Sequence, residues 1–384
     1  MRSTIPLGRF AGIRLGAHWS VLLVAGLIAW TLGSYVLPEL EPGYDDVAYW
    51  FVGGTVALVF FASLLAHELG HSVVARRQGI EVDEITLWLL GGVSKLGSDS
   101  RSAGDEFRMA AIGPAISLAL GLAFGVLAGA ARLAGAPDLI VAGSIWLAAT
   151  NVFLGVFNLV PAFPLDGGRL LRAILWRRRG DRVSATQSAA RAGQVFGYAL
   201  IALGVAEFLF GGVSGLWLVL LGWFVTQAAQ SEAATVAQQQ LLAGLTVDEI
   251  MTADPVTVPA DLTVQELVDR FVLGSRHSAY PVTNADGRVH GLVTLDIIRR
   301  VPPDVRSATL LRDVAVAPPT VITTSPNEQV TEVVARMVPV NARRALVLDG
   351  DDLVGIVSMT DIGRTLESRQ VAYGARRRDV LTRP

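Results

Sequence analysis

The chain has 384 residues, of which 52% are hydrophobic and 17% charged, and its mean hydropathy is +0.47. A soluble domain carries nearer a quarter charged residues, so this composition excludes a wholly soluble protein and places much of the chain in lipid. The formal charge of −2 gives no sign of a nucleic-acid partner, and the absence of cysteine excludes disulfides, a thiolate nucleophile and sulfur ligands to a metal.

The chain opens with Arg2, Arg9 and Arg14 ahead of an apolar run from about Trp19 to Val36. Without a convincing small-residue cleavage site, this run is expected to be a retained first span. The next loop holds Glu39, Glu41, Asp45 and Asp46, and a second apolar run from about Val47 ends at Arg76 and Arg77. Lys and Arg gather on the cytoplasmic side of short loops, so the amino terminus and the end of the second span are predicted to lie inside. That inner end reads LLAHELGHSVVARR from Leu64 to Arg77. Positions four apart share a helix face, so His67 and His71 can offer two imidazoles to one metal ion, with Glu68 one residue round. This is the HExxH zinc arrangement, and ionisable groups at membrane depth are usually kept for a function.

Glu81 to Ser98, interrupted by Gly91 and Gly92, is too short to cross a bilayer and is expected to form a β-hairpin or re-entrant strand beside the site. Its edge, around Gly91 and Gly92, can pair with an unwound substrate backbone by strand addition. A third span is expected from about Met109 to Leu133, with Gly121, Gly125 and Gly129 packing closely on a neighbouring helix. A fourth, from about Leu139 to Val160, delivers the chain inside to PAFPLDGGR. Asn151 and Asn158 share one face of it. Asn158 can hydrogen-bond a substrate carbonyl, whereas Asn151 reads as packing. The basic stretch Arg169 to Arg191 reads as cytosolic. Two further runs, about Gly193 to Phe210 and Leu216 to Ala229, make six spans and return the chain to the cytosol. Residues 1–230 are thus read as a membrane domain and 231–244 as a linker.

A catalytic zinc needs a third protein ligand, with water in the fourth position. His277 and His290 lie in the polar remainder and His18 begins the first span, which leaves the carboxylates Asp166 and Glu207. Asp166 sits among Pro161, Pro164, Gly167 and Gly168, which break the helix and free its side chain to turn inward. Glu207 lies deep in its span, roughly 20 Å from the inner entry at about 1.5 Å per residue. Depth selects Asp166.

From about Leu245 short Val-rich runs bounded by Pro, Gly and Asp alternate with helical patterns, a soluble α/β unit. It repeats: Glu249, Gly291 and Thr294 find counterparts in Asp313, Gly355 and Ser358. GLVTLDI and GIVSMTDI, which close the two copies, resemble the cystathionine-β-synthase-type (CBS) domain pair. The copies are set at 245–307 and 308–368, with a basic tail at 369–384. The resemblance implies an adenine nucleotide between the copies, held by a Ser or Thr and an Asp three residues on. Ser358 and Asp361 fit that spacing, whereas Thr294 is followed by Ile297 with Asp296 one position early, so the copies are expected to be unequal.

LLAHELGHSVVA, followed much later by NLVPAFPLDGGR, resembles the site-2 protease family of intramembrane zinc metalloproteases, in the subgroup that carries CBS domains. No PDZ-like insertion interrupts the spans. The resemblance implies a polytopic α-helical membrane protein with a cytosolic α/β CBS pair, seated in the plasma membrane. One zinc per chain would be held by His67, His71 and Asp166. Glu68 would be the catalytic glutamate and Asn158 would hold the substrate backbone. The substrate would be a membrane-anchored, regulatory protein with a transmembrane helix, and a homodimer through the CBS domains is a further expectation. The rival reading is a CBS-gated transporter or channel. A pseudoprotease is disfavoured because Glu68 is present.

Overall fold

The computed structural model describes residues 4–10, 12–88, 91–96, 100–274 and 277–381. It divides into two units, Met1–Val236 and Ala237–Pro384.

The first unit begins with β1 (Ile5–Phe10) and β2 (Ile13–Ala17), paired antiparallel. Helix α1 (Ser20–Thr31) passes through a π-helical turn (Leu32–Val36) into α2 (Leu37–Leu40). Next comes α3 (Asp46–Arg77), whose 32 residues extend about 48 Å at ~1.5 Å each, well beyond a hydrocarbon core of ~30 Å. The Asp45 carboxylate caps it by accepting from the Ala48 N–H, and Arg76 and Arg77 occupy its last turn, so both ends suit the helix dipole.

β3 (Val82–Trp88) and β4 (Gly91–Leu96) form the expected hairpin, of which Leu89, Leu90, Gly97 and Ser98 lie outside the described residues. The hairpin does not stand alone. β2 runs parallel to β3, completing a four-stranded sheet in the order β1-β2-β3-β4. The opening residues, expected only to flank the first span, supply half of that sheet. Their alternation suits a strand: Ile13 is buried and Arg14 exposed, and Ile13 and Ile85 pack with Ala75, Ile80 and Met109.

Helices α4 (Ala103–Leu133), α5 (Asp138–Asn158), α6 (Asp166–Arg179), α7 (Arg182–Leu209) and α8 (Gly215–Leu242) follow. Among the described residues, five helical stretches are long and apolar enough to cross a membrane: Ser20–Leu40, α3, α4, α5 and α7. The expected sixth, α8, is not one of them. Gln227, Gln230 and Glu232 dilute its apolar start, and it runs as helix through most of the expected linker. The glycine contact is also narrower than expected. A Cβ at Gly121 would come within 2.6 Å of Val152 Cγ2, and one at Gly155 on α5 within 2.8 Å of Leu118 Cγ. Gly125 would meet only Ala148, at 3.9 Å, and Gly129 nothing within 4 Å, since crossing helices approach closely over a limited stretch.

The second unit holds β5 (Thr252–Ala253), β6 (Val258–Pro259), α9 (Val264–Leu267), β7 (Ala279–Thr283), β8 (Val289–Thr294) and α10 (Leu295–Arg300). The second copy follows as α11 (Leu311–Val314), β9 (Ile322–Thr324), α12 (Val330–Met337), β10 (Arg344–Asp349), β11 (Asp352–Ser358) and α13 (Met359–Leu381). Each copy pairs its strands in the same way, parallel β6–β7 with antiparallel β7–β8, and parallel β9–β10 with antiparallel β10–β11. The copies are interleaved. β5 pairs with β11, Leu245 and Val247 lie in the second copy's core, and Leu311 lies in the first's. The expected boundary between 307 and 308 therefore divides the chain but not the packing. The stretch expected as a tail from 369 continues α13 to Leu381, with 382–384 outside the described residues.

Candidate metal centre

The four-residue spacing of His67 and His71 sets both rings on the face of α3 that meets α4, with ring centroids 4.9 Å apart. Each ring is held from behind: His71 Nδ1 lies 2.6 Å from the Met109 carbonyl oxygen and His67 Nδ1 lies 2.9 Å from the Ser117 hydroxyl. A carbonyl can only accept, so His71 donates from Nδ1 and turns Nε2 inward, the outer-ring arrangement usual for metal-binding histidines. Glycine clears the space in front. A Cβ at Gly113 would stand 2.2 Å from His71 Nε2 and 2.7 Å from His67 Nε2. Gly113 and Ser117 do not stand out in the sequence. The available signal is their own four-residue spacing in IGPAIS, one helix face inside an apolar run.

Asp166 is the first residue of α6, and its delivery depends on backbone crowding that only glycine permits. A Cβ at Gly167 would fall 2.1 Å from the Val160 carbonyl oxygen, and one at Gly168 would fall 2.5 Å from Phe163 N. The turn before α6 is closed by Leu165 N–H donating to Ala162 O at 2.9 Å and is anchored by Phe163, buried with Ala189, Ala190 and Ala229.

Three donor atoms converge. Asp166 Oδ2 lies 3.2 Å from His67 Nε2 and 3.2 Å from His71 Nε2, and the two Nε2 atoms are 3.2 Å apart. Asp166 Oδ2 is buried with no hydrogen-bond partner of acceptable geometry among the described residues. Electron-rich atoms so arranged repel unless a cation lies between them. A tetrahedral ion with bonds of about 2.0 Å spaces its ligands about 3.3 Å apart, so the triangle fits zinc with a fourth position left open.

Glu68, next to His67 on α3, is half-buried, and its Oε1 accepts from Gly92 N–H at 3.3 Å. Gly92 lies on β4, where a Cβ would come within 2.4 Å of Glu68 Cγ. Gly91 pairs with Trp88 in the same ladder. Asn158 Nδ2 donates within its own helix to Leu154 O, at 3.0 Å. Asn151 does the same to Leu147 O, and its buried Oδ1 has no partner among the described residues. Glu207 accepts from the Ser214 hydroxyl in the turn between α7 and α8. In the second unit Ser358 and Asp361 bond each other at the start of α13, hydroxyl to carboxylate at 2.6 Å. In the first copy Thr294 caps Ile297 N–H at 3.4 Å, while Asp296 is exposed beside Arg299.

The sequence profile of peptidase family M50 matches residues 55–138 and 136–204, and that of the CBS domain matches 247–304 and 311–368. Rip3 of Mycobacterium tuberculosis is 48% identical over 376 residues, which is 97% of this chain and 95% of that protein. The zinc metalloprotease MJ0392 of Methanocaldococcus jannaschii is 31% identical over 369 residues, covering 95% of this chain and 97% of its own. A solved site-2 protease from Methanocaldococcus jannaschii aligns over 60% of this chain and 94% of that one, at 27% identity and a TM-score of 0.40.

Proposed function

The chain belongs to peptidase family M50 and is a zinc metalloprotease of the site-2 protease type, and from that premise we propose how it is seated and how it cuts. It crosses the plasma membrane six times, α8 supplying the sixth span through its apolar start, with the amino terminus and the CBS pair in the cytosol. Its substrates are membrane-anchored proteins cut within or near a transmembrane helix. His67, His71 and Asp166 hold the ion, and the 3.2 Å triangle of their donor atoms is the observation that carries this reading. Zinc in such a site supplies a Lewis acid for the scissile carbonyl and acidifies the attacking water. Glu68 takes the proton from that water and passes it to the leaving amine.

A transmembrane helix must unwind before its peptide bonds can be reached, and its freed backbone groups then need partners. β4 is the last strand of its sheet, so Gly91 and Gly92 offer an edge for strand addition beside Glu68. Asn158 turns its amide from Leu154 to a substrate carbonyl. Ser358 and Asp361 exchange their mutual bond for an adenine nucleotide, and the CBS pair dimerises. A transporter gives no role to a glutamate such as Glu68 beside the three converging ligand atoms.

The test is cleavage of a single-span substrate by purified protein. E68Q is expected to keep its zinc and lose cleavage, because the ligands stay and the base goes. Normal cleavage by E68Q overturns the mechanism.

A further inference from the structure

Asp166 is the first residue of α6, so whatever fixes α6 fixes the third donor atom. Less than two turns along the same helix, Arg172 is buried, its side chain 7% exposed. A buried guanidinium must be matched by charge and hydrogen bonds. Its Nε and Nη2 donate to Glu106 on α4, its Nη1 donates to Glu232 on α8 at 2.9 Å, and its Cζ lies 5.1 Å from the centre of the Phe163 ring. Phe163 belongs to the turn that presents Asp166. Ala229 of α8 packs in the Phe163 cluster and Ala233 packs against it, so residues 229, 232 and 233 form one face of α8 directed at α6 and its turn.

The two carboxylates are not equivalent. Glu106 is fully buried, and its Oε2 has no hydrogen-bond partner among the described residues. Glu232 is 39% exposed at its side chain and can be replaced without opening the core. Lysine would not reproduce Arg172, because its donors radiate from one nitrogen and lack the planar fork that reaches Glu106 through Nε and Nη2 and Glu232 through Nη1.

We propose that Glu232 is a positioning residue for the metal centre, holding α6, and with it Asp166, through Arg172. The proposal rests on Asp166 being a zinc ligand. Past Glu232 the helix runs on for about three turns to Leu242, which lies in the core of the second CBS copy.

The test uses the full-length protein in detergent, loaded with Zn2+ and challenged with a chelator, with the Tm of the zinc-free form measured alongside. E232Q is expected to release zinc measurably faster than wild type, but by less than the roughly tenfold that losing a group bonded directly to a ligand costs a metal site. The zinc-free Tm should stay at the wild-type value, and E232D should restore most of the retention. Wild-type release by E232Q overturns the proposal. So does a zinc-free Tm that falls in step with retention, because Glu232 would then support the fold and not the site. D166A separates the two claims. If D166A still binds one zinc per chain, the ligand assignment fails; if it is metal-free and E232Q is indifferent, only the positioning role fails.

Discussion

His67 and His71 come from one unbroken helix, where local spacing alone puts two rings on one face, and α4 holds each ring by its outer nitrogen. Asp166 reaches the same triangle from a turn, where Gly167 and Gly168 let α6 fold back on backbone atoms of residues 159–163. The histidine side is limited by ring orientation, which hydrogen bonds can adjust, once Gly113 has left room in front of both rings. The aspartate side is limited by backbone volume, which nothing nearby can yield. The centre should therefore be more sensitive to one methyl group in the turn than to the loss of one hydrogen bond behind a histidine.

The largest expected effect is that of G167A. Its Cβ would strike two carbonyl oxygens, Val160 O at 2.1 Å and Leu159 O at 2.4 Å, and neither can rotate away. Zinc content and cleavage should fall to the level of D166A while the CBS pair stays folded. Metal analysis of the purified variant checks this, and full occupancy would mean that the turn can yield to a methyl group. A smaller loss is expected from S117A, which removes the partner of His67 Nδ1 and leaves Nε2 in place. Its zinc affinity should drop about tenfold in chelator competition, within the range for outer-ring partners. The smallest effect belongs to G129A, where an added methyl meets nothing within 4 Å. Its zinc retention should match wild type and its Tm should not fall, because alanine favours the helix where the methyl has room, whereas G121A, facing Val152 at 2.6 Å, should lower the Tm.

The same difference explains what the sequence displays. The histidine pair and Glu68 are legible because a helix converts spacing into geometry locally. Asp166 is legible from membrane depth and from helix-breaking residues around it, but the contacts that place it are not. Gly167 meets carbonyls several residues earlier only once the turn has closed. Ser117 and Met109 depend on the register of α4 against α3, which no local pattern encodes. The opening strands are masked by arginines that also suit a membrane flank, although Ile13 and Ile85 are core partners. In the second unit the repeat is plain, yet the interleaving that puts Leu245 in one copy's core and Leu311 in the other's is a long-range outcome.

The central claim is that these two unlike scaffolds meet at one zinc ion. X-ray absorption on the zinc-loaded full-length protein tests it most directly. The predicted first shell has two imidazole nitrogens and oxygen ligands at about 2.0 Å, unchanged in E68Q, with zinc lost in D166A. One zinc per chain in D166A with an unaltered spectrum would contradict it.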